Sequence, residues 1–324
     1  TVRAHSRSEV VLCGGVINSP QLLELSGIGQ RELLESRGIE VQRELAGVGE
    51  NLQDHLTVNG QQRIEGLRTC FEETRPLNMI GNLFRYLLRG KGLLAHPAAQ
   101  AGIFFRTDDA EDTPNAQVHF APAASEAATR GNLKTAPGTT ATVCHLRPQS
   151  RGSVHIRSAD PAQAPAIRAN YLESEADRSA MVAALRRVRA IFAAPALAPY
   201  PGRELLPGAD HESDEQILEY IRAQAESVYH PVGTCKMGSD ELAVVDERLR
   251  VHGVQGLRVA DASIMPTITS GNTNAPAIMI AEKCADMLLQ DAGVRIAPPE
   301  AAGIAPQPAA TGTEKTADQS PAIA

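Results

Sequence analysis

The strongest constraint on the fold is a short apolar run near the start of the chain that ends in two glycines. Residues 9–15 read EVVLCGG, which is typical of a buried parallel strand that stops where the backbone turns tightly. A helix is expected to follow, with Asn18 or Ser19 as its N-cap and Pro20 in its first turn. A strand, a tight turn and a helix make half of a βαβ unit, so the chain should begin in an α/β arrangement. Residues 30–37 then predict a second helix and residues 38–45 a strand.

The middle of the chain has a different pattern. Apolar and polar residues alternate in three segments, residues 116–120, 141–146 and 152–157. Alternation of this kind predicts antiparallel strands, and we assign residues 57–226 to a second domain. Its clearest helix runs from about Glu175 to Ala193, because one apolar stripe follows the helical period there and should face the core.

The α/β pattern returns after residue 226. Residues 256–261 predict a strand that ends in Asp261, and a helix is expected from Thr273 to Leu289. The fold class is therefore mixed α/β: residues 1–56 and 227–292 form one domain around residues 57–226. Residues 293–324 are rich in Ala, Pro, Thr and Gly, which predicts a disordered tail.

Composition excludes several classes of protein. The chain has 324 residues, 43% of them hydrophobic, and its 31 Lys and Arg against 38 Asp and Glu give a net charge of −7. The basic residues are scattered, so nucleic acid is not an expected partner, and no apolar run reaches the roughly 20 residues of a transmembrane helix. Five widely spaced cysteines without a Cys-x-x-Cys pair favour a reducing compartment. With no secretory signal at the start, we expect a cytoplasmic protein and leave peripheral contact with a membrane open.

Residues 227–239, SVYHPVGTCKMGS, carry the clearest chemical signal. His230, Cys235 and Met237 could hold a metal, but a further ligand is lacking nearby, and no metal site is predicted. Cys235 could be a nucleophile with His230 as its base, but no orienting carboxylate stands close in sequence. The remaining alternatives are a histidine satisfied in the core and a reactive histidine on a rigid loop. Pro231 and Gly233 favour the loop.

Two other segments leave alternatives open. In residues 47–55, GVGENLQDH, two glycines match the start of G-x-G-x-x-G, but Leu52 replaces the third and a dinucleotide fingerprint is disfavoured. Near Thr273 a helix begins, and its N–H groups would favour an anion above it. Alternatively, Asn272 and Thr273 only cap that helix.

Taken together, these motifs resemble the glucose–methanol–choline family of flavin-dependent oxidoreductases. The segments that carry the resemblance are residues 15–29 (GVINSPQLLELSGIG), 47–55, 147–153 with 170–172, 229–238, and 257–266 with 271–276. The resemblance implies part of a Rossmann-like FAD-binding domain together with a substrate domain whose antiparallel sheet is flanked by helices.

The resemblance also implies roles for individual residues. His230 would be the base that takes the proton of a substrate hydroxyl, and Asn272 would be its partner at the flavin. Asp261 and Ala262 match a strand end near the ribityl chain and phosphates, and Thr273 matches a residue beside the pyrimidine edge. The full cofactor set implied in this way is Asn18, Tyr229, Asp261, Ala262, Thr273 and Asn274.

The activity implied by the resemblance is FAD-dependent oxidation of a small alcohol, with hydride transfer to flavin N5 and either oxygen or a quinone as the later electron acceptor. The sequence resembles bacterial alcohol and choline dehydrogenases more than it resembles fungal sugar oxidases. The alternatives are a hydroxynitrile lyase on the same scaffold and a non-catalytic remnant. Since the family's opening G-x-G-x-x-G does not occur in this sequence, these 324 residues alone are expected to bind FAD weakly or not at all.

Overall fold

The computed structural model describes residues 5–64, 66–126, 134–200 and 202–294. The strands are β1 (Val10–Leu12), β2 (Ile28–Gly29), β3 (Arg43–Glu44), β4 (Leu56–Ile64), β5 (Ala101–Phe105), β6 (Ala116–Ala121), β7 (Ala124–Glu126), β8 (Lys134–Ala136), β9 (Gly138–His145), β10 (Ser153–His155), β11 (Ala166–Arg168), β12 (Gly202–Leu206), β13 (Glu226–Ser227) and β14 (Leu257–Val259). The helices are α1 (Gly15–Leu25), α2 (Arg31–Ser36), α3 (Cys70–Glu73), α4 (Pro76–Arg89), α5 (Glu175–Phe192), α6 (Asp214–Gln224) and α7 (Asn274–Asp291). Short 3-10 helices cover Leu93–Ala95, Pro195–Leu197 and Ala262–Ile264.

The sheets and helices α1–α6 belong to one unit of the chain, which ends at Cys284. Within the described ranges no helix is both long and apolar enough to cross a membrane. Apart from its first two residues, the predicted tail over residues 293–324 lies outside the described residues. The predicted domain boundaries at residues 56 and 226 stay a prediction.

The first and last predicted strands pair with each other. β1 and β14 are parallel, with Val10 opposite Leu257 and Leu12 opposite Val259. An ion pair reinforces the contact, because the guanidinium of Arg258 lies 2.5 Å from the carboxylate of Glu9. The predicted return of the α/β arrangement after residue 226 is therefore confirmed.

Helix α1 begins earlier than the sequence pattern predicts. It starts at Gly15, whose φ of +73° suits glycine, so the predicted caps Asn18 and Ser19 lie inside the helix. Ser19 is fully buried, and its hydroxyl donates to Asp261 at 2.6 Å and accepts from the N–H of Gly14 at 3.0 Å. Asp261, which follows β14, thus binds the Ser19 hydroxyl that local sequence rules would assign to capping the helix.

Pro20 therefore lies in the interior of α1, where proline cannot supply the usual N–H to the carbonyl four residues back. That carbonyl belongs to Val16, and it accepts a hydrogen bond of 2.6 Å from the buried hydroxyl of Thr234. The proline thus creates an acceptor that ties α1 to the loop after His230.

The strand predicted over residues 38–45 is shorter than expected. Only Arg43–Glu44 is extended and paired, and it lies parallel to the two-residue β2. The chain before it follows the loop at Gly27, whose carbonyl accepts from the N–H of Gln42 at 2.8 Å. A two-residue partner strand limits the length of the pairing.

The middle of the chain forms one antiparallel sheet in the order β12-β4-β9-β6-β5, with β13 paired to the start of β4. The predicted antiparallel strands are confirmed. Val58, Val143 and Val118 stand side by side across β4, β9 and β6, and this face packs on α5 and α6 through Met181, Leu185, Val188, Ile217 and Ile221. Each such buried side chain stabilises the fold by roughly 1.5–3 kcal/mol.

The opposite face of the same sheet is polar. Side chains alternate between the two faces of a strand, so the residues between the valines point the other way. His119, Thr142 and Asn59 form one row across β6, β9 and β4, and the Thr142 hydroxyl donates to the Asn59 side chain at 2.6 Å. Gln117 lies on the same face one step along β6. The candidate site lies against this polar face.

A half-buried histidine of β10 contacts two carboxylates, one of which lies in α1. His155 Nδ1 lies 2.7 Å from Glu24, which is fully buried, and Nε2 lies 3.0 Å from Glu50. Burial alone would lower the pKa of His155, but the hydrogen bonds and charges of Glu24 and Glu50 outweigh it and raise the pKa above its ordinary value. The protonated form is therefore the one that the fold stabilises.

We expect His155→Gln to lower the free energy of unfolding by about 3 kcal/mol in mild acid, because it leaves a buried carboxylate without its cation. A histidine whose pKa is raised by folding contributes fully below its unfolded pKa of about 6.5 and loses that contribution as pH rises through the folded value. The difference between the two proteins should therefore shrink in alkaline solution. Urea unfolding across pH measures it, with exposed His96→Gln as the control; a difference that grows with pH would contradict the assignment.

Candidate active site

His230 lies on a loop that follows β13 and reverses sharply. Tyr229 has a φ of +64°, which is uncommon for a residue other than glycine, and its N–H donates to the Ser227 hydroxyl at 2.8 Å. The ring of Tyr229 is 83% exposed, whereas His230 is half-buried. The turn thus sends Tyr229 to the surface and His230 inward.

A buried carboxylate holds this loop from beneath. Asp54 is 6% exposed, and its Oδ1 accepts from the backbone N–H groups of His55 and His230, both at 2.9 Å. Its Oδ2 accepts from the hydroxyls of Tyr171 and Ser227. Burial and the neighbouring Asp54 raise the pKa of Tyr171, so its hydroxyl stays a donor. Two of these four donors, the Ser227 hydroxyl and the His230 N–H, lie on either side of Tyr229 and hold the loop.

A chain of hydrogen bonds sets the tautomer of His230. His55 Nε2 lies 3.1 Å from the carbonyl oxygen of Leu146, which can only accept, so Nε2 of His55 carries the proton. Burial, with repulsion from neighbouring histidines, outweighs that hydrogen bond and lowers the pKa of His55 to about 4. His55 is therefore neutral, and its Nδ1 is an acceptor.

The proton between the two rings then belongs to His230. His230 Nδ1 lies 3.1 Å from His55 Nδ1 and must donate to it, which leaves Nε2 of His230 as a hydrogen-bond acceptor. Asn272 Nδ2 lies 3.3 Å from that nitrogen and donates to it. The catalytic pair expected from the sequence, His230 and Asn272, is thus brought into direct contact.

Asn272 is oriented in turn by the polar face of the sheet. Its Oδ1 accepts from Gln117 Nε2 at 3.2 Å, and Gln117 is 4% exposed. Two buried atoms on this face, Gln117 Oε1 and His119 Nε2, have no hydrogen-bond partner among the residues that the structure describes. A polar group bound in front of β6 can satisfy both.

Burial keeps His230 neutral. Desolvation lowers the pKa of His230, Asp54 acts in the opposite direction, and His119 adds a further lowering. The net pKa lies below the ordinary histidine value, so near neutral pH the imidazole offers its Nε2 lone pair as a proton acceptor.

Asp261, predicted to contact the cofactor, directs its carboxylate into the protein. Its Oδ2 accepts from the N–H of Gly15 at 2.9 Å and from the hydroxyl of Ser19, and its Oδ1 accepts from the N–H of Ser263 at 2.8 Å. The carboxylate therefore joins the end of β14 to the start of α1. A cofactor contact at Asp261 stays a prediction.

The other predicted cofactor residues lie at turns and helix ends. Asn18, Asn274 and Tyr229 are exposed and Ala262 is half-buried. Thr273 is 8% exposed, and its carbonyl accepts from the N–H of Ala277 at 3.0 Å in the first turn of α7. Their cofactor roles stay predictions.

Two glycines leave open space at these turns. At Gly15 and at Gly271 an added Cβ atom would meet nothing within 4 Å. Gly15 opens the turn before α1, and Gly271 precedes Asn272 at the entry to α7. The residues present therefore fit the isoalloxazine end of FAD, which needs room beside His230 and a helix N-terminus near its anionic edge.

The glycines of residues 47–55 do not form a phosphate loop. An added Cβ at Gly47 would lie 1.9 Å from the carbonyl of Leu242, and one at Gly49 would lie 2.3 Å from the carbonyl of Val154. Both glycines are needed because other segments of the chain pack against them. The described residues of this segment therefore have a packing role, and neither glycine is available to a phosphate group.

The thiol alternative is disfavoured by burial. Cys235 is fully buried, and desolvation raises the pKa of its thiol, so the reactive thiolate is suppressed. The N–H groups of Cys235 and Met237 donate to the carbonyls of Ser263 and Ile264 at 2.9 and 2.7 Å. This segment packs the His230 loop on the 3-10 helix after Asp261.

Four residues of the site were not predicted. Asp54 and His55 lie in a motif that contributed to the family resemblance, but no role was assigned to them, and Gln117 and His119 were interpreted only as part of a strand. An acid followed directly by a histidine at the start of a buried strand was the available signal. The pairing with His230, 175 positions away, is not visible in the sequence.

Comparison with known proteins places both ends of the chain in one family. The model for GMC oxidoreductases matches residues 1–57 with its N-terminal part and residues 148–281 with its C-terminal part. Together the two matches cover more than half of the chain.

Individual relatives agree with this assignment. The chain is 47% identical over 285 residues to an oxygen-dependent choline dehydrogenase of Yersinia pseudotuberculosis, which covers 88% of the chain and 50% of that protein. Among solved structures it resembles a pyridoxine 4-oxidase from Mesorbium loti (28% identity, TM-score 0.70, 87% of this chain and 51% of that one). It also resembles an FAD-dependent oxidoreductase from Chaetomium thermophilum (26% identity, TM-score 0.78, 90% and 57%). The chain spans about half the length of these proteins.

We expect His55→Phe to release the tautomer of His230, because phenylalanine offers no acceptor to His230 Nδ1. Nitrogen NMR of the imidazole should show a proton only on Nδ1 in the wild-type protein and a mixture of Nδ1 and Nε2 protonation in the variant. His96→Phe, at an exposed position, is the control and should leave the His230 signals unchanged. An Nε2-protonated His230 in the wild-type protein would contradict the hydrogen-bond chain.

Proposed function

The chain belongs to the GMC oxidoreductase family, and from that premise we propose that the protein oxidises a small alcohol to an aldehyde or ketone with FAD. The observation that carries the proposal is the 3.3 Å contact between His230 Nε2, an acceptor, and Asn272 Nδ2, a donor. A hydroxyl group is the ligand that needs one of each.

The substrate oxygen lies in front of both atoms. At about 2.8 Å from each it closes a triangle, so that the hydroxyl donates to His230 and accepts from Asn272. His230 takes the hydroxyl proton, and the adjacent carbon loses a hydride, which FAD accepts when it is bound. Asn272 carries no titrating proton, so it holds the oxygen without competing for the transferred proton.

The proposal also assigns FAD contacts to the cofactor residues expected from the sequence. Thr273 and Asn274 would hold the flavin ring at the N-terminus of α7, where a helix dipole stabilises negative charge. Asn18, Tyr229, Asp261 and Ala262 complete the set as residues along the remainder of the cofactor. The electron acceptor, oxygen or a quinone, is left open.

A cytoplasmic location is part of the proposal. The cysteines Cys13, Cys70, Cys144, Cys235 and Cys284 are free thiols, and free thiols persist in a reducing compartment.

We expect His230→Ala to slow anaerobic reduction of FAD by alcohols by about 10²- to 10⁴-fold, the usual contribution of a general base. The measurement follows loss of flavin absorbance in protein supplied with excess FAD, so that weakly bound cofactor also turns over. His96→Ala is the matched control and should reduce FAD at the wild-type rate. Cleavage of hydroxynitriles without any reduction by alcohols would support the lyase instead, and equal rates for His230→Ala and wild type would refute the base.

The activity should rise with pH through a midpoint below about 6.5, the ordinary histidine pKa. His230 must be neutral to accept a proton, and burial lowers its pKa against the attraction of Asp54, while His119 lowers it further. kcat/KM measured between about pH 5 and pH 8 tests this. A midpoint above the ordinary value would mean that Asp54 outweighs burial.

A further inference from the structure

Gln53 has a buried amide that the proposed chemistry does not use. The residue is 2% exposed, its Oε1 accepts from the N–H of Ile268 at 3.2 Å, and its Nε2 donates to the carbonyl of Pro266 at 3.1 Å. A side-chain amide carries the same donor and acceptor as a peptide group. Gln53 therefore binds two backbone groups of residues 266–271, the segment that leads directly into Asn272.

The backbone of Gln53 binds the other half of the site. Its N–H donates to the carbonyl of Val232 at 3.0 Å, and its carbonyl accepts from the N–H of Val232 at 2.8 Å. Val232 lies two positions after His230 on the same loop. One buried residue thus holds the His230 loop with its main chain and the approach to Asn272 with its side chain.

Asn51 makes a second link between the same two segments. Its Nδ2 donates to the carbonyl of Gly233 at 3.2 Å and to that of Pro266 at 3.1 Å. Its Oδ1 accepts from Gln53 Nε2 at 3.2 Å and from Arg151 Nε at 3.1 Å. We term the side chains of Asn51 and Gln53 the amide clamp.

The segment that the amide clamp holds is irregular. Residues 266–271 form neither helix nor strand, so a ladder of backbone hydrogen bonds does not fix their position. The N–H of Gly271 bonds within the segment, to the carbonyl of Thr269 at 2.8 Å. The Ser270 hydroxyl accepts from Arg147, an exposed side chain, at 3.1 Å. The amide clamp is the buried support, and it therefore controls where this segment places Asn272.

We propose that the amide clamp positions Asn272 against His230, an inference that rests on the proposed function. The clamp acts through the backbone of both segments, so its members are positioning residues. A base and a donor promote a reaction only near their productive geometry, and a displacement of about 1 Å can cost about 10²-fold in rate. The alternative is that the clamp only satisfies buried backbone groups. Its loss would then destabilise the fold and leave the contact between His230 and Asn272 unchanged.

Nitrogen NMR tests the geometry without turnover. The signal of His230 Nε2 depends on whether that nitrogen accepts a hydrogen bond, and Asn272→Leu supplies the signal without the donor. Gln53→Met removes the amide at similar side-chain length, and we expect it to shift the His230 Nε2 signal toward the Asn272→Leu value. Gln100→Met, at an exposed position, is the matched control and should leave the wild-type signal unchanged.

A cycle of single and double variants tests whether the amide clamp acts through Asn272. Gln53→Met alone should slow anaerobic reduction of FAD by alcohols about 10- to 10²-fold with little change in KM. In the Asn272→Leu background the same change should cause little further loss, because residues that act through one contact are not additive. Equal losses in both backgrounds, or an unshifted His230 Nε2 signal in Gln53→Met, would overturn the proposal.

Asn51→Gly decides the case in which Gln53→Met does not fold. Glycine suits the φ of +64° at this half-buried position, so the variant loses the link to Pro266 and keeps the backbone. The His230 Nε2 signal should shift in the same direction as in Asn272→Leu, and an unchanged signal would contradict the clamp. A wild type that oxidises no alcohol would refute the proposed function, whereas the shifted signal would still support the clamp.

Discussion

The buried carboxylate of Asp54 is the group on which the candidate site depends. Burial of an ion costs several kcal/mol unless hydrogen bonds replace its hydration, and Asp54 receives donors from the start of β4, the β13 loop and Tyr171. The donors of the β13 loop are the Ser227 hydroxyl and the His230 N–H, on either side of the strained Tyr229. The position of His230 is thus determined by a residue beneath the site, and the geometry of the base is a property of the fold.

The sheet joins the core and the site in one element. Because alternate residues face opposite sides, the strands that place Val118 and Val143 against α5 also place Gln117 and His119 toward Asn272. A slip of one residue in the pairing of β6 would exchange the two faces. The apolar packing that stabilises the sheet therefore also fixes the register that places the polar face toward Asn272.

The strands and helices that depend on a local sequence pattern were predicted correctly. The strands β1 and β14, the alternation of β6 and β9 and the apolar stripe of α5 were all visible in short windows, and the structure contains them. The start of α1 was predicted wrongly, because the Ser19 hydroxyl binds Asp261 and the Val16 carbonyl that Pro20 leaves without a partner in the helix accepts from Thr234. Both partners are far away in the sequence.

The residues of the candidate site also differ in whether the sequence alone identifies them. His230 and Asn272 were identified through the family resemblance, and the structure places them in contact. His55 and Gln117, which orient them, are joined to the pair only by folding, so neither residue has a local signature.

The direction of the hydrogen-bond chain has a consequence for the resting protein. A free neutral imidazole divides its molecules between two tautomers, and only one of them has a lone pair at Nε2. Since the Leu146 carbonyl selects a single tautomer for His55 and hence for His230, nearly every molecule is competent before a ligand arrives. The apparent affinity for a hydroxyl ligand is then not reduced by an incompetent population.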